Sequence, residues 1–246
     1  MQEEKRTVRI AALADLHITS TDKGTWTDCF KEINTSADIL LLCGDLTDTG
    51  DESEAEILYN ELKTFSIPVV GVLGNHDYEK GRQKIIRNII QGHNNVHILD
   101  GEAVVLHDIG FAGVKGFGGG FNGHMLSMFG ENAMKAFVQE SVDEALHLDR
   151  ALAKIEKEHP GMKKIAVLHY SPVAETIAGE SEQIYPFLGS SRLAEPLIRR
   201  KVTAAFHGHA HQGKLQGMLE EVKIFNVARP ILLKEGLPKP FFIFDV

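Results

Sequence analysis

Five short motifs, each following an apolar run, hold most of the residues in this chain that could do chemistry. They are Asp15-Leu16-His17, Gly44-Asp45-Leu46-Thr47-Asp48, Gly74-Asn75-His76-Asp77, the lone His169, and Gly208-His209-Ala210-His211. Their side chains are carboxylates, an amide and imidazoles, without a thiolate. Such donors suit Mn, Fe, Zn, Co or Ni better than a structural zinc cage. Asp15 and His17 are two residues apart, so in extended backbone both point to one side and can chelate one ion; His209 and His211 share the spacing. Asp45 has two oxygens and can bridge two ions, while Asn75 offers a carbonyl oxygen and His169 a ring nitrogen. Two divalent ions, Asp15, Asp45 and a bridging hydroxide sum to a formal charge of about +1, which attracts a phosphate anion. Ions about 3.5–4 Å apart lower the pKa of a shared water and stabilise both the attacking and the leaving oxygens of an in-line displacement.

Residues so scattered need strands whose ends meet. Val8 to Ala14, Ile39 to Cys43, Pro68 to Leu73, Lys164 to His169 and Val202 to Phe206 read as buried strands, each delivering one motif at its C-terminal end, where a crevice can form. Asp51 to Thr64, Glu131 to His159 and Arg192 to Arg200 read as helices, the second stopped by Pro160-Gly161. Val222 to Val227, Ile231 to Leu233 and Phe241 to Phe244 read as further strands joined by Pro/Gly turns. This order predicts an α/β fold with two stacked sheets covered by helices. At 246 residues, a single domain over 1–246 with one large core is expected.

Each Asp or Asn alone reads as a cap or turn residue. Together and in this order, Asp-x-His, Gly-Asp-x-x-Asp, Gly-Asn-His-Asp, a His after a strand and Gly-His-x-His resemble the calcineurin-like metallophosphoesterases, over residues 8 to 211. The resemblance implies a four-layer αββα sandwich of two mixed β-sheets between helices. It implies one metal held by Asp15, His17, Asp45 and His211, and another by Asp45, Asn75, His169 and His209. His76 would sit by the leaving group, oriented by Asp48. The implied activity is a dinuclear-metal hydrolysis of phosphoesters by in-line attack of a metal-bridging hydroxide. The protein serine/threonine phosphatases of the superfamily place Arg after the second Asp of the Gly-Asp motif, whereas this chain has Thr49-Gly50. The pattern resembles instead the small bacterial phosphodiesterase-like members, so diesters of a small molecule are favoured over monoesters. The alternatives are a nuclease with the same centre and a non-catalytic scaffold. A scaffold has no need of a leaving-group acid.

Composition narrows the partners. The chain is 43% hydrophobic with a formal charge of −8, which excludes a disordered chain and disfavours duplex nucleic acid as a partner. A nuclease would need a basic groove. Arg82, Lys84 and Arg87, and Arg199-Arg200-Lys201, are the clusters to watch, although solvated helix faces explain them as well. No segment approaches the about 18 apolar residues of a membrane span, and the start, Met1 to Arg6, shows no signal-peptide pattern, so a cytoplasmic protein is expected. Cys29 and Cys43 read as free thiols. Gly116 to Gly130 joins glycines to Phe117, Phe121, Met125, Met128 and Phe129, and reads as a mobile lid over an organic group. Ser190 and Arg192, at the start of a helix, are expected to hold a phosphate or carboxylate. Contact in a homo-oligomer is the other role open to these apolar residues.

Overall fold

The computed structural model describes residues 7–237 and 240–246, so the stretch Met1 to Arg6, read above for a signal-peptide pattern, lies outside the described residues. Its strands are Arg9–Leu13 (β1), Ile39–Cys43 (β2), Val69–Val72 (β3), Val96–Ile98 (β4), Glu102–Leu106 (β5), Ile109–Gly113 (β6), Lys163–Val167 (β7), Ala204–His207 (β8), Gln216–Leu219 (β9), Val222–Asn226 (β10) and Phe242–Asp245 (β11). The helices are Thr27–Ser36 (α1), Glu52–Leu62 (α2), Gln83–Ile90 (α3), Asn132–Glu158 (α4), Tyr185–Leu188 (α5), Ala194–Arg199 (α6) and Arg229–Lys234 (α7). One mixed sheet has the order β11-β1-β2-β3-β4 and the other β5-β6-β7-β8-β10-β9. Neighbours β1 to β4 run parallel, as do β6, β7, β8 and β10, while the outer strands β11, β5 and β9 pair antiparallel.

Side-chain alternation explains the layers. Ile165 and Val167 of β7, and Ala204 and Phe206 of β8, face the core between the sheets; Ala166 and Ala205 face a second core beneath Leu148, Leu152 and Ile155 of α4 and Leu197 of α6. The first sheet is covered by Phe30 and Ile33 of α1, Leu58 of α2 and Ile86 and Ile90 of α3. Because β2 is covered on both faces, all five of its residues are fully buried, and it reads as a continuous apolar run instead of an alternation. Each large aliphatic side chain so buried contributes about 1.5–3 kcal/mol relative to exposure. The result is the four-layer sandwich of two mixed sheets.

The elements predicted from sequence recur within a few residues of their expected limits, with one exception in type. Ile231 to Leu233, expected as a strand, lies in α7, where Pro230 stands in the first turn with its φ already fixed for a helix. A three-residue apolar run has no period that separates helix from strand. The strands β4, β5, β6 and β9 and the helices α1, α3 and α5 had no sequence prediction. The edge strand β5 is mostly exposed and half-buried, so its apolar signal is weak. Helix α2 starts where expected: Asp51 accepts from Ser53 N, and the Glu54 side chain closes a capping box. Both cysteines are free. Among the described residues no helix is long and apolar enough to cross a membrane.

Candidate metal centre

Parallel strands deliver their C-terminal ends to one side of a sheet, and here both sheets do so at the same place. Asp15 and His17 follow β1, Asp45 follows β2, Asn75 and His76 follow β3, His169 follows β7, and His209 and His211 follow β8. The turns are tighter than an extended strand end. Four of the nine non-glycine residues with positive φ among the described residues are Asp15, His17, Asp45 and His209. Left-handed backbone costs such residues about 1–3 kcal/mol each, and strain of this kind gathers at functional sites. It also corrects the expected geometry: Asp15 and His17 converge through left-handed turns, not through the pleat of a strand. Glycine makes the approach possible. A Cβ on Gly74 would overlap the Asp45 carboxylate, and one on Gly208 would overlap that of Asp15.

The side chains form three overlapping groups of close donor atoms: Asp15 with His17 and His211, His17 with Asp45 and His76, and Asp45 with His169 and His209. Asp45 is central. Its Oδ2 lies 3.8 Å from His17 Nε2, and its Oδ1 lies 3.3 Å from His169 Nε2 and accepts from His76 N. Outer contacts fix which nitrogen each ring presents. His169 Nδ1 donates to the Cys43 carbonyl (3.0 Å), His209 Nε2 to the Phe187 carbonyl (3.1 Å), and His17 Nδ1 faces the Asp48 carboxylate at 3.4 Å. The opposite nitrogens, His169 Nε2, His209 Nδ1 and His17 Nε2, are left for the interior. Histidines that ligate metals are commonly held in this way. His17 Nε2 is buried without a hydrogen-bond partner, an arrangement that a cation would satisfy.

The ionisation states agree. Burial opposes charge on Asp45, yet the adjacent His169 ring outweighs it and holds the carboxyl below the usual carboxylate range. Burial likewise disfavours the charged form of His169, but Asp45 pushes it up to about 9, and a proton on its Nε2 would lie between Asn75 Oδ1, 2.9 Å away, and Asp45 Oδ1, 3.3 Å away. A divalent cation can replace that proton among the same acceptors. Burial, helped by His169, lowers His209 to about 4, and burial lowers His17. Both then offer neutral lone pairs. The donor set therefore fits divalent ions on either side of Asp45.

A family model described as calcineurin-like phosphoesterase matches residues 8–213. The chain belongs to this family. Calcineurin-like phosphoesterases are metal-dependent, so the convergence of Asp, Asn and His residues has its chemical context. Comparison with curated proteins gives no match. Among solved structures, the phosphopantetheinyl hydrolase from Mycobacterium tuberculosis superposes with a TM-score of 0.66 at 14% identity, covering 96% of this chain and 95% of that one. The protein TT1561 of Thermus thermophilus gives 0.57 at 18% identity, covering 90% and 89%. GAP50, the anchor in the inner membrane complex of Plasmodium, gives 0.54 at 11% identity, covering 91% and 72%. At these identities the likeness establishes the fold alone.

Within this calcineurin-like phosphoesterase, Asp15, His17, Asp45, Asn75, His76, His169, His209 and His211 come together as the sequence led one to expect. Asp48 does so differently. The acceptor for His76 Nδ1 is the Asp48 main-chain carbonyl, at 2.6 Å, and the carboxylate is turned to His17. Removing it in Asp48→Ala is therefore expected to weaken retention of the ion next to His17 by about 10–100-fold, as for other orienting groups, while the His76 ring keeps its partner. A metal titration showing unchanged affinity would refute this role. Asp77 accepts from Leu46 N, Thr47 N, Thr47 Oγ1 and Gly74 N, and so ties the two loops together. His207 is fully buried, with Nε2 at 2.7 Å from Thr176 Oγ1 and its pKa lowered by burial to about 4; it is a neutral core residue.

The expected lid is corrected. The Gly116 amide donates to Glu144 Oε2 (2.6 Å), Gly118 to Phe121 are buried, and Phe121 packs with Ile177, Leu188 and Ala210, the residue between the two site histidines. Only its outer part carries large exposed apolar groups, Met125, Met128 and Phe129. Phe121→Ala is thus a core deletion and is expected to cost about 3–5 kcal/mol; a urea midpoint equal to that of the wild type would contradict the packing. Ser190 is fully buried, its amide donating to Ser171 O and its Oγ accepting from Arg192 N. Arg192 Nη2 donates to Leu126 O at 2.6 Å, and Nη1 is buried without a partner. These two residues brace loops and present no open cradle. The residues that sequence reasoning missed are the Cys43 and Phe187 carbonyls and Tyr170, whose ring packs 4.4 Å from that of His209. A main-chain oxygen leaves no trace in residue type.

Proposed function

We propose that this protein hydrolyses phosphodiesters of small molecules at a dinuclear centre, with Asp15, His17, Asp45 and His211 around one ion and Asp45, Asn75, His169 and His209 around the other. The observation that carries the reading is the position of Asp45, with one oxygen toward His17 and the other toward His169. Ions bound there would supply positive charge for the phosphoryl oxygens and a water of lowered pKa. The chain's own part is to hold the ligand rings in one tautomer, to neutralise charge with two aspartates, and to present His76 Nε2 with its other nitrogen already occupied by the Asp48 carbonyl. The ring is then placed to give a proton to a departing alkoxide. Diesters are preferred because the motifs, with Thr49-Gly50 where the protein phosphatases have Arg, resemble the small phosphodiesterase-like members.

A nuclease with the same centre is less well supported. Arg82 and Arg87 pair with Glu52 and Glu102, and Arg199 and Arg200 both pair with Asp149, so these clusters are largely neutralised. The fold also serves as an anchor in the Plasmodium protein; here a leaving-group histidine and a full ligand set favour catalysis. The test is a screen of metal-reconstituted protein against alkyl and aryl diesters, monoesters, nucleotides and DNA. Turnover of diesters above monoesters supports the proposal, preference for DNA supports the nuclease, and no turnover with metal bound supports the scaffold.

A further inference from the structure

Beside the half of the centre formed by Asp15 and His17 lies a cleft of about 370 Å³ whose walls include Asp22, Thr25, Trp26 and Arg229. Its far wall is α7, the helix that replaces an expected strand. Arg229 N donates to the carbonyl of Ala14, the residue before Asp15, at 3.1 Å, so the arginine is rooted on the same strand end as a proposed metal ligand. Its guanidinium lies 5.2 Å from the centroid of the Trp26 ring. Trp26 is itself only 5% exposed and stacks on Phe30, which makes a rigid platform. Such a contact restrains an arginine side chain while leaving its N–H groups free to donate.

The charge of Arg229 is unusual in its surroundings. Among the described residues it has no ion-pair partner, in contrast to Arg82, Arg87, Arg199 and Arg200. Asp22 shares the cleft; its Oδ2 accepts from Thr19 N and Thr19 Oγ1, both at 2.8 Å, within its own turn, and it makes no ion pair with Arg229. Arg229 is exposed, has no ion-pair partner among the described residues, and lines the same cleft as Asp15 and His17; such a guanidinium is suited to a carboxylate or phosphate, which it can bind through two parallel N–H groups.

We propose that this cleft is the subsite for a second anionic group of the substrate, bound by Arg229 on its Trp26 platform while the reacting phosphoester lies over Asp15, His17 and Asp45. The inference rests on the phosphoesterase reading and narrows it to phosphoesters whose organic part carries a carboxylate or a further phosphate. Trp26 is the only tryptophan in the chain, so its emission reports on the cleft directly. Zinc-loaded wild type, Arg229→Gln and Arg229→Lys would be titrated with methylphosphonate, phosphonoacetate and methylenediphosphonate, following Trp26 fluorescence and the heat of binding. The expected result is that wild type binds phosphonoacetate or methylenediphosphonate at least about tenfold more tightly than methylphosphonate. The larger of the two gains assigns carboxylate or phosphate. In Arg229→Gln the advantage falls to near unity, and in Arg229→Lys it is partly restored. An equal advantage in Arg229→Gln would show that the second group is held by the metals alone and would overturn the subsite. So would wild type binding all three ligands alike. If wild type binds none of them, the phosphoesterase reading fails as well.

Discussion

Replacing Asp45 with asparagine is expected to empty both halves of the centre together and to lower phosphoester hydrolysis by more than about 100-fold, the upper end of what loss of an outer orienting group costs. The expectation follows from position. Among the described residues Asp45 is the one whose two oxygens face histidine nitrogens on opposite sides, and its charge raises the pKa of His169. Asparagine retains an oxygen able to accept from His76 N but cannot offer two anionic ligand atoms. Elemental analysis after dialysis reads the result. One ion per chain at saturation, unchanged in Asp45→Asn, would sink the dinuclear proposal.

The same residue sets a pH dependence in metal-free protein. The folded pKa of His169, about 9, lies above its ordinary value of 6.5. The stability that the raised His169 contributes is therefore fully present below about pH 6.5 and is lost as pH rises through about 9. Unfolding free energy of the metal-free wild type is expected to fall across that window. Asp45→Asn should flatten the profile, because the carboxylate that raises the histidine is gone. Metal-loaded protein should not show the fall, since a cation would stand where the proton stood. A persisting fall with metal bound would mean that His169 is not a ligand.

What could be read in advance depended on whether the information lay in side-chain type or in contact. Ile39 to Cys43 is apolar throughout because both faces of β2 are covered, and its limits were legible to the residue. The long helix before Pro160-Gly161 was legible for the same kind of reason, a sustained pattern with a stop signal. Helix α7 was not, because Leu232 is buried in a core built from strands distant in sequence and three residues show no period. In the site, the chemistry of the ligands was written in residue types and in the glycines beside them. Their orientation was not. Asp48 could be recognised as a partner for a histidine, but which histidine, and by carbonyl or carboxylate, is decided by the left-handed turns that follow β1 and β2. Phe121 looked like a lid because glycines surround it, and only the packing of Ile177, Leu188 and Ala210 shows that those glycines let the chain pass inward.

His76→Ala is expected to separate substrates by their leaving groups. The ring packs edge-on to His17 at 4.5 Å, its Nδ1 is committed to the Asp48 carbonyl, and its main-chain N donates to Asp45. It is therefore held against the centre with Nδ1 engaged and Nε2 left for proton transfer, the arrangement required of a group that protonates a departing oxygen. General acid catalysis contributes about 10²–10⁴-fold where negative charge accumulates on a poor leaving group. An alkyl alkoxide accumulates that charge, whereas p-nitrophenolate delocalises it and departs without a proton. The variant is thus expected to lose about 10²–10⁴-fold on an alkyl diester and much less on bis-p-nitrophenyl phosphate, with metal content unchanged. Asp48→Ala gives the opposite pattern, because its carboxylate serves His17: both substrates decline together and recover with added metal. Equal losses on the two diesters in His76→Ala, with both ions retained, would assign His76 to binding the phosphoryl group instead of protonating the alcohol.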